Sequence, residues 1–547
     1  MILTKCKAFL LLLLALGVFL LVCFIIFKHK KCPGTFSRAA VAADSKKCSE
    51  IGRDILKQGG SAVDAAIAAL LCTSIINPQS AGIGGGSIFT VMDSSGVVKI
   101  INSRETVPLN VPPNLLNMCG SEPLGSECIG VPGEIRGYEM AHKLYGNLPW
   151  ANLFQPAIQL AREGFNIPEV LGSNMQSIVG TNKTQALRKL FSNKNGDLLQ
   201  IGDKVAFPKL ADTLEIIANN GADSFYSGKI AKDLICDVQE AGGKLTLKDL
   251  ASYNVTVTDA LAVSLGEYQM YIPPPPAGGV FLALILNIMK GYYYEQPAPL
   301  SAGEKVLFYH RYIEALKFTN ALKSDLYYSS LSSEQILEKA KECTTDSFAS
   351  SIQHKINNNI QALQYSSNLD SLGTTHLSVL AEDGSAVSVT STINKIFGSK
   401  IYSPSTGIIL NNQLSDFCQK DKTMLKNIST GERPPSSTAP IVLKAQSNIL
   451  VIGGSGGSMI TTGIASALIN HLWFGKSLKE AIDIPVVYVS SSETMIEPIF
   501  DKDVITILKS KGHKIGKFYN VVNAVEKMGG CICAVSDARK HGEAAGF

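Results

Sequence analysis

The hydroxyl-rich stretch from Leu372 to Asn394 holds the residues best suited to chemistry. It runs Leu372-Gly373-Thr374-Thr375-His376-Leu377-Ser378-Val379, turns near Asp383-Gly384, and returns through Ser391-Thr392-Ile393-Asn394. A threonine hydroxyl is a poor nucleophile unless a base stands beside it. Placing the threonine first in a chain supplies that base, because an α-amine titrates at about 7.7–8 and accepts a proton near neutral pH. Thr374 is internal, so this chemistry requires scission of the Gly373–Thr374 bond. Glycine suits the position before such a bond, since it tolerates strained backbone angles that bring the threonine hydroxyl to its carbonyl. Read locally, the same stretch is an ordinary Thr-rich hairpin, which is the commoner use of such residues.

Two alternating runs around Asp383-Gly384 signal the hairpin. A two-residue loop at Asp383-Gly384 sets Thr374 opposite Ile393. A three-residue loop, Asp383-Gly384-Ser385, sets Thr374 opposite Asn394 and His376 opposite Thr392. The second gathers the polar groups on one face and is the expected register.

Gly373-Thr374-Thr375-His376-Leu377-Ser378-Val379 followed by Ser391-Thr392-Ile393-Asn394 resembles the γ-glutamyltransferases (glutathione hydrolases), which are autoprocessing N-terminal-nucleophile enzymes. The resemblance runs from about Ala39 to Phe547, with further motifs in order. Asn102-Ser103-Arg104-Glu105-Thr106 is similar to the motif whose arginine holds the substrate α-carboxylate, a task suited to a bidentate guanidinium. Asn394, Gln413 and Asp416 match residues that bind the α-ammonium, and Ser436-Ser437 match serines beside the α-carboxylate. Read alone, Arg104 is a surface or ion-pair arginine, Asp416 a helix cap and the serines turn residues.

Gly453-Gly454-Ser455-Gly456-Gly457-Ser458 joins a strand to a helix, a layout that cradles anions. No P-loop lysine follows, and the resemblance implies that the amides of Gly456 and Gly457 hold an oxyanion. Gly82 to Ser87 precedes a strand, so backbone packing is expected there instead of phosphate binding.

The resemblance implies a four-layer αββα sandwich formed by two autocleaved subunits, residues 28–373 and 374–547. It implies attack by Thr374 on γ-glutamyl amides, with Thr392 orienting the hydroxyl, and a γ-glutamyl ester passed to water or to an amino-acid or dipeptide acceptor. Substrates would be glutathione, its conjugates and leukotriene C4, with no metal or cofactor. The prolines Pro273 to Pro276 and the run Gly431 to Ser437 are most similar to the type 5, leukotriene-C4-cleaving branch. Two alternatives stand: an acylase of another specificity, and an unprocessed homologue with a binding or scaffold role. The family's usual Gly-Asp-Pro turn is replaced by Lys323-Ser324-Asp325, which changes a nearby loop.

The remaining chain must position these residues. Charged residues are 18% and hydrophobic residues 46% of 547, a globular composition. Net charge is +4, with Lys5, Lys7, Lys28, Lys30 and Lys31 near the start, so nucleic-acid binding is not expected. Residues 8–27 carry no charge; at about 1.5 Å per residue they reach roughly 30 Å, the hydrocarbon thickness of a bilayer. Lys28-His29-Lys30-Lys31 follows without a cleavage site, so an uncleaved anchor behind a cytoplasmic tail, residues 1–7, is expected. Basic residues flank both ends, and the family's type II topology places the body outside the cell. Sequons at Asn182, Asn254 and Asn427 are consistent with that side. The family also has a disulfide at positions matching Cys48 and Cys72. Cys119 and Cys128 could close a short loop, and Cys531-Ile532-Cys533 reads as strand packing. His142 and His310 lie in helical patterns and read as structural. A strand at Ala39–Asp44, helices at 45–58 and 62–75, strands at 88–91 and 98–102, a mostly helical region from 129 to 340, a polar tail at 341–371 and a strand at 407–410 complete the expectation.

Overall fold

The structure is a computed structural model. It describes residues 36–111, 115, 125–179, 184–294, 301–327, 331–356, 373–418, 428–489, 494–497, 500, 502–513, 515–516 and 520–547. The expected anchor, Asn182, Asn427 and Cys119 lie outside them.

The elements that build the centre are, in chain order, β1 (Ala40–Ala42), α1 (Lys46–Lys57), α2 (Ala62–Ile76), β2 (Gly86–Met92), β3 (Val98–Asn102), β4 (Thr256–Asp259), β5 (Leu261–Leu265), β6 (Tyr268–Ile272), α3 (Gly279–Tyr293), α4 (Ala302–Tyr327), β7 (Gly373–Leu380), β8 (Ala386–Asn394), β9 (Ile441–Lys444), β10 (Ile449–Ser455), α5 (Ile460–Leu468), β11 (Val521–Met528), β12 (Cys531–Val535) and β13 (Ala545–Gly546). They form two antiparallel sheets, ordered β13-β1-β7-β8-β2-β3-β4 and β12-β11-β10-β9-β6-β5.

Alternation along the strands makes four layers. Leu377, Val379, Val387 and Val389 turn outward onto the helices that include α1 and α2. In the other sheet Met270, Ile272, Leu443, Leu450 and Ile452 turn outward onto α3, α4 and α5. The inner faces meet through Ala40, Ala42, Leu380, Val442, Val451 and Val525. This is the expected αββα sandwich. Both faces of each central strand are covered, so the hydroxyls of the hairpin are buried and must find partners. They find them across the sheet interface: Ser388 donates to Ile452 O (3.0 Å) and Ser378 to Asn523 O (3.2 Å), and Thr90 on the neighbouring β2 donates to Pro440 O (2.6 Å). His376 lies between them, bonded to Thr390 Oγ1 (2.9 Å) and Ser378 Oγ (3.0 Å). Burial pushes its imidazole down to about 3, so it is neutral. A Cβ at Gly453 would stand 2.2 Å from the ring, which explains a glycine in that strand.

Several expectations need correction. The hairpin register is neither of the two weighed. Ala381 N donates to Ser385 O (2.9 Å), so the loop is Glu382-Asp383-Gly384, one residue earlier, and Thr374 faces Thr392. Gly384 at φ +86° takes the left-handed position closing a three-residue loop, and the Asp383 carboxylate accepts from Ser385 N at 2.9 Å. A bulge between Thr392 and Asn394 then sets Asn394 opposite Gly373. The region read as mostly helical contains β4, β5 and β6, because half-exposed short strands give a weak period. Residues 407–410 form a single bridge, Tyr402 with Ile409, not a strand. Part of the expected polar tail is a helix, Asp346–Gln353, that buries Ala349 and Ile352. Cys531 is disulfide-bonded, not merely packed, and Cys128 is a buried free thiol, which excludes the Cys119–Cys128 loop. Cys48 and Cys72 are bonded between α1 and α2 with Cα atoms 5.4 Å apart.

Candidate active site

Thr374 sits at the start of β7, opposite Thr392 near the end of β8, in a cleft at one end of the sheet interface. Its Oγ1 is 3.1 Å from Thr392 Oγ1. Thr392 Oγ1 donates to the carbonyl of Gly373 at 2.6 Å and accepts from Asn394 N at 2.8 Å. One hydroxyl has one proton, so the Thr374 hydroxyl must be the donor to Thr392. In the uncut chain the Thr392 hydroxyl therefore contacts both the neighbouring hydroxyl and the carbonyl of the expected scissile bond. A Cβ on Gly373 would stand 2.4 Å from the carbonyl oxygens of both Asn394 and Lys395.

The same cleft, about 310 Å³ of empty space, is lined by Thr374, Thr392, Arg104, Asn394, Gln413, Asp416, Ser436, Ser437 and Gly457. Arg104, just past β3, is buried and sits 2.6 Å from Asp416 Oδ2. It also donates to the carbonyls of Pro434 and Pro435 (both 3.1 Å), which fixes the loop carrying Ser436 and Ser437. Asp416 stands on a short 3₁₀ turn, Gln413–Phe417. It accepts from Gln413 Nε2 (2.6 Å) and Asn394 Nδ2 (2.8 Å), the latter placed by a left-handed backbone at φ +77°. Burial raises the Asp416 carboxyl above the usual aspartate range, and the Arg104 guanidinium opposes that shift most. Ser436 Oγ bonds Thr438 Oγ1 at 2.9 Å. Gly456 and Gly457 follow β10 at φ +121° and +59°, a conformation that only glycine adopts readily, just before α5. All ten residues expected to act are thus set around one end of the sandwich, and the cleft is lined by nine of them, Gly456 being the neighbour of a lining residue.

A family profile described as Gamma-glutamyltranspeptidase matches residues 48–547. The chain belongs to the gamma-glutamyltranspeptidase family. It is 43% identical to the "Glutathione hydrolase 5 proenzyme" of Rattus norvegicus over 97% of each chain. It is 36% identical to "Scoloptoxin SSD14" of Scolopendra dehaani, covering 94% of this chain and 93% of that one. Among solved structures it resembles the cephalosporin acylase from Bacillus halodurans, with TM-score 0.81, 25% identity and coverage of 94% and 96%. It also resembles the gamma-glutamyltranspeptidase of Helicobacter pylori, with TM-score 0.51 and 28% identity, over 57% of this chain and 89% of that one.

For a gamma-glutamyltranspeptidase, several supporting residues escaped sequence reasoning. Tyr253 donates to Arg104 O at 2.8 Å and stacks under Arg433, whose guanidinium donates to Asn254 O at 2.7 Å. Tyr327 Oη lies 2.9 Å from Ser436 O and 3.0 Å from Ala277 O and shares its one proton between them, tying α4 to the serine loop and the proline run. It belongs to the stretch that departs from the family's usual turn; here the helix simply continues to Tyr327. No local motif marks a tyrosine for such a role.

Among the described residues, His310, Glu314 and His513 bring metal-ligating atoms within 4.8 Å of one another. The two imidazoles hydrogen-bond each other (3.1 Å) and Lys317 lies 2.8 Å from Glu314. The group belongs to the helical layer, away from the cleft. His142 bonds Leu148 O at 2.8 Å, as a structural histidine would.

Beside Arg104, the fully buried Glu105 has its carboxyl pushed up to about 8 by burial, against the pull of the guanidinium. In an unfolded chain it titrates near 4.5. A raised carboxyl favours the fold in full below the unfolded value, and that contribution is lost as pH rises through the folded one. The expected result is that Glu105→Gln melts with wild type at pH 4.5 and several degrees higher at pH 8.5 by scanning calorimetry. A melting difference that stays constant over that range would show that Glu105 is ionised in the fold.

Proposed function

We propose that this chain is a proenzyme that cuts itself before Thr374 and then cleaves γ-glutamyl amides through the new N-terminal threonine. The observation that carries this is the shared cleft: the Thr374–Thr392 pair, a buried cation at Arg104 and a buried anion at Asp416, within one small pocket.

In self-cleavage the Thr374 hydroxyl attacks the Gly373 carbonyl, forming an ester and freeing the α-amine; water then hydrolyses the ester. Residues 1–373, with the anchor, and 374–547 become the two subunits. In turnover the zwitterionic end of a γ-glutamyl group inserts into the Arg104–Asp416 pair. The α-carboxylate takes Arg104, Ser436 and Ser437, and the α-ammonium takes Asp416, Gln413 and Asn394. One internal ion pair is exchanged for two, which suits a ligand bearing both charges. The Thr374 hydroxyl attacks the γ-carbonyl while its α-amine takes the proton and passes it to the departing amine. Amides of Gly456 and Gly457 hold the oxyanion. Water releases glutamate; an acceptor amine gives a new γ-glutamyl product.

The substrates are glutathione and its conjugates, and leukotriene C4 by likeness to the type 5 branch. Residues 8–27 anchor the protein in the plasma membrane as a type II protein with the catalytic body outside. The exposed Asn254 and the Cys48–Cys72 bond fit that compartment, and Asn182 and Asn427 are its other glycan acceptors. Among the described residues no helix is long and apolar enough to cross a membrane.

The test is incubation of purified protein with glutathione, with and without glycylglycine. Release of glutamate, and of a γ-glutamyl dipeptide with parallel-line kinetics, is expected. The likeness to a cephalosporin acylase supports a second reading, an acylase for other side chains; turnover of glutaryl amides with none of γ-glutamyl amides would establish it.

A further inference from the structure

Among the described residues, the start of β7 has no strand beside it on one side. β1 ends opposite Ser378, so there the backbone from Gly373 to His376 has no strand partner among them. Two side chains supply donors instead. Asn523 Nδ2 donates to His376 O at 2.6 Å, and Lys540 Nζ donates to Thr374 O at 2.6 Å. The Lys540 ammonium is 5% exposed and makes two further bonds, to Asp44 Oδ2 (2.7 Å) and to Ser455 Oγ (2.8 Å). Its three protons have three acceptors.

Those acceptors are not equivalent. Thr374 is the reacting residue, and Ser455 ends β10 immediately before Gly456 and Gly457. One ammonium therefore connects the two halves of the reaction centre, which sit in different sheets. Asp44 neutralises the charge and is itself fixed by Thr375 Oγ1 and Asn523 Nδ2, both at 2.7 Å. Lys540 is delivered by a 3₁₀ turn whose preceding residue, Asp537, accepts from Val522 N at 2.9 Å.

We propose that Lys540 is a positioning residue for the threonine nucleophile, setting Thr374 against the Gly456–Gly457 loop in both self-cleavage and turnover. The proposal rests on the reading of Thr374 as the nucleophile. A neutral side chain of the same length would fill the space yet leave the Thr374 carbonyl and the Ser455 hydroxyl free to move. Small misplacements of this kind cost about 10²-fold in rate.

The experiment compares wild type with Lys540→Met and Lys540→Ala, measuring the rate at which the Thr374 N-terminus appears and, on processed protein, kcat and KM for a γ-glutamyl anilide. Folding is checked by calorimetry. For Lys540→Met the expected result is slower self-cleavage and a kcat lower by about 10²-fold, with KM within about threefold of wild type. Added ethylammonium should restore Lys540→Ala, and propanol, a neutral molecule of similar size, should not. If Lys540→Met fails to fold, Asp44→Asn/Lys540→Met removes both charges together, and the same slow self-cleavage and low kcat are expected of it; Ser455→Ala, expected to lower kcat about tenfold at constant KM, gives an independent reading. Folded variants that cut themselves and turn over at wild-type rates would overturn the proposal, as would equal rescue by propanol. A wild type that cuts itself but ignores γ-glutamyl anilide would refute the substrate reading only, since Lys540 is then judged on self-cleavage.

Discussion

Thr374→Ala is expected to remain a single chain of 547 residues and to lose γ-glutamyl turnover by about 10⁴-fold or more. The methyl side chain removes the attacking oxygen from both reactions, so an uncut and inactive protein results from one substitution. The surroundings should survive it. Thr392 keeps its bond to Gly373 O at 2.6 Å and to Asn394 N at 2.8 Å, so the strand pairing does not depend on the lost hydroxyl. Denaturing electrophoresis of deglycosylated protein, with N-terminal sequencing of the smaller fragment, reads the outcome. Wild type should yield a fragment beginning at Thr374 and the variant none. A fragment of the same sequence from Thr374→Ala would show that another protease makes the cut. A wild type that stays whole would promote the scaffold reading.

The second large effect is a pair of selectivity changes at the buried charges. Glutaryl amides keep the carboxylate of a γ-glutamyl group and lack its amine; 4-aminobutyryl amides keep the amine and lack the carboxylate. Wild type should prefer γ-glutamyl anilide over both by at least about 10²-fold in kcat/KM, because each missing charge leaves Asp416 or Arg104 without its partner. Asp416→Asn should erase the preference over the glutaryl compound. Arg104→Gln should erase the preference over the 4-aminobutyryl compound. Breaking a buried charged contact costs roughly 2–5 kcal/mol, or about 30- to 5,000-fold at 1.36 kcal/mol per decade. Arg104→Gln should also lower stability, because it leaves Asp416 buried without the guanidinium 2.6 Å away. Unchanged preferences in both variants would remove this pair from substrate recognition and favour the acylase reading.

Much of this protein is legible in its amino-acid sequence. The Thr374 segment, the Arg104 motif, Asp416, Ser436-Ser437 and the Gly456-Gly457 turn are short contiguous runs that carry the family resemblance. The resemblance, and not their local pattern, marked them: read alone, Arg104 is an ion-pair arginine, Asp416 a cap and the serines turn residues. The αββα architecture and the Cys48–Cys72 bond followed from the same resemblance, and strands such as Val98–Asn102 and the helix at 62–76 followed from period and capping, with Ser61 and Asp64 forming the reciprocal cap. The hairpin register did not follow. It depends on where Gly384 turns left-handed and on which hydroxyls must bridge the second sheet, and neither is visible in one hairpin's pattern. Three contacts emerge from the packed sheets alone: Thr392 holds the Gly373 carbonyl, Arg104 and Asp416 rest as an ion pair, and Lys540 reaches Thr374 from 166 residues away. Those contacts join elements distant in sequence. Their partners are chosen by the need to satisfy buried polar groups at one end of the sheet interface, a demand that exists only after the sheets have packed.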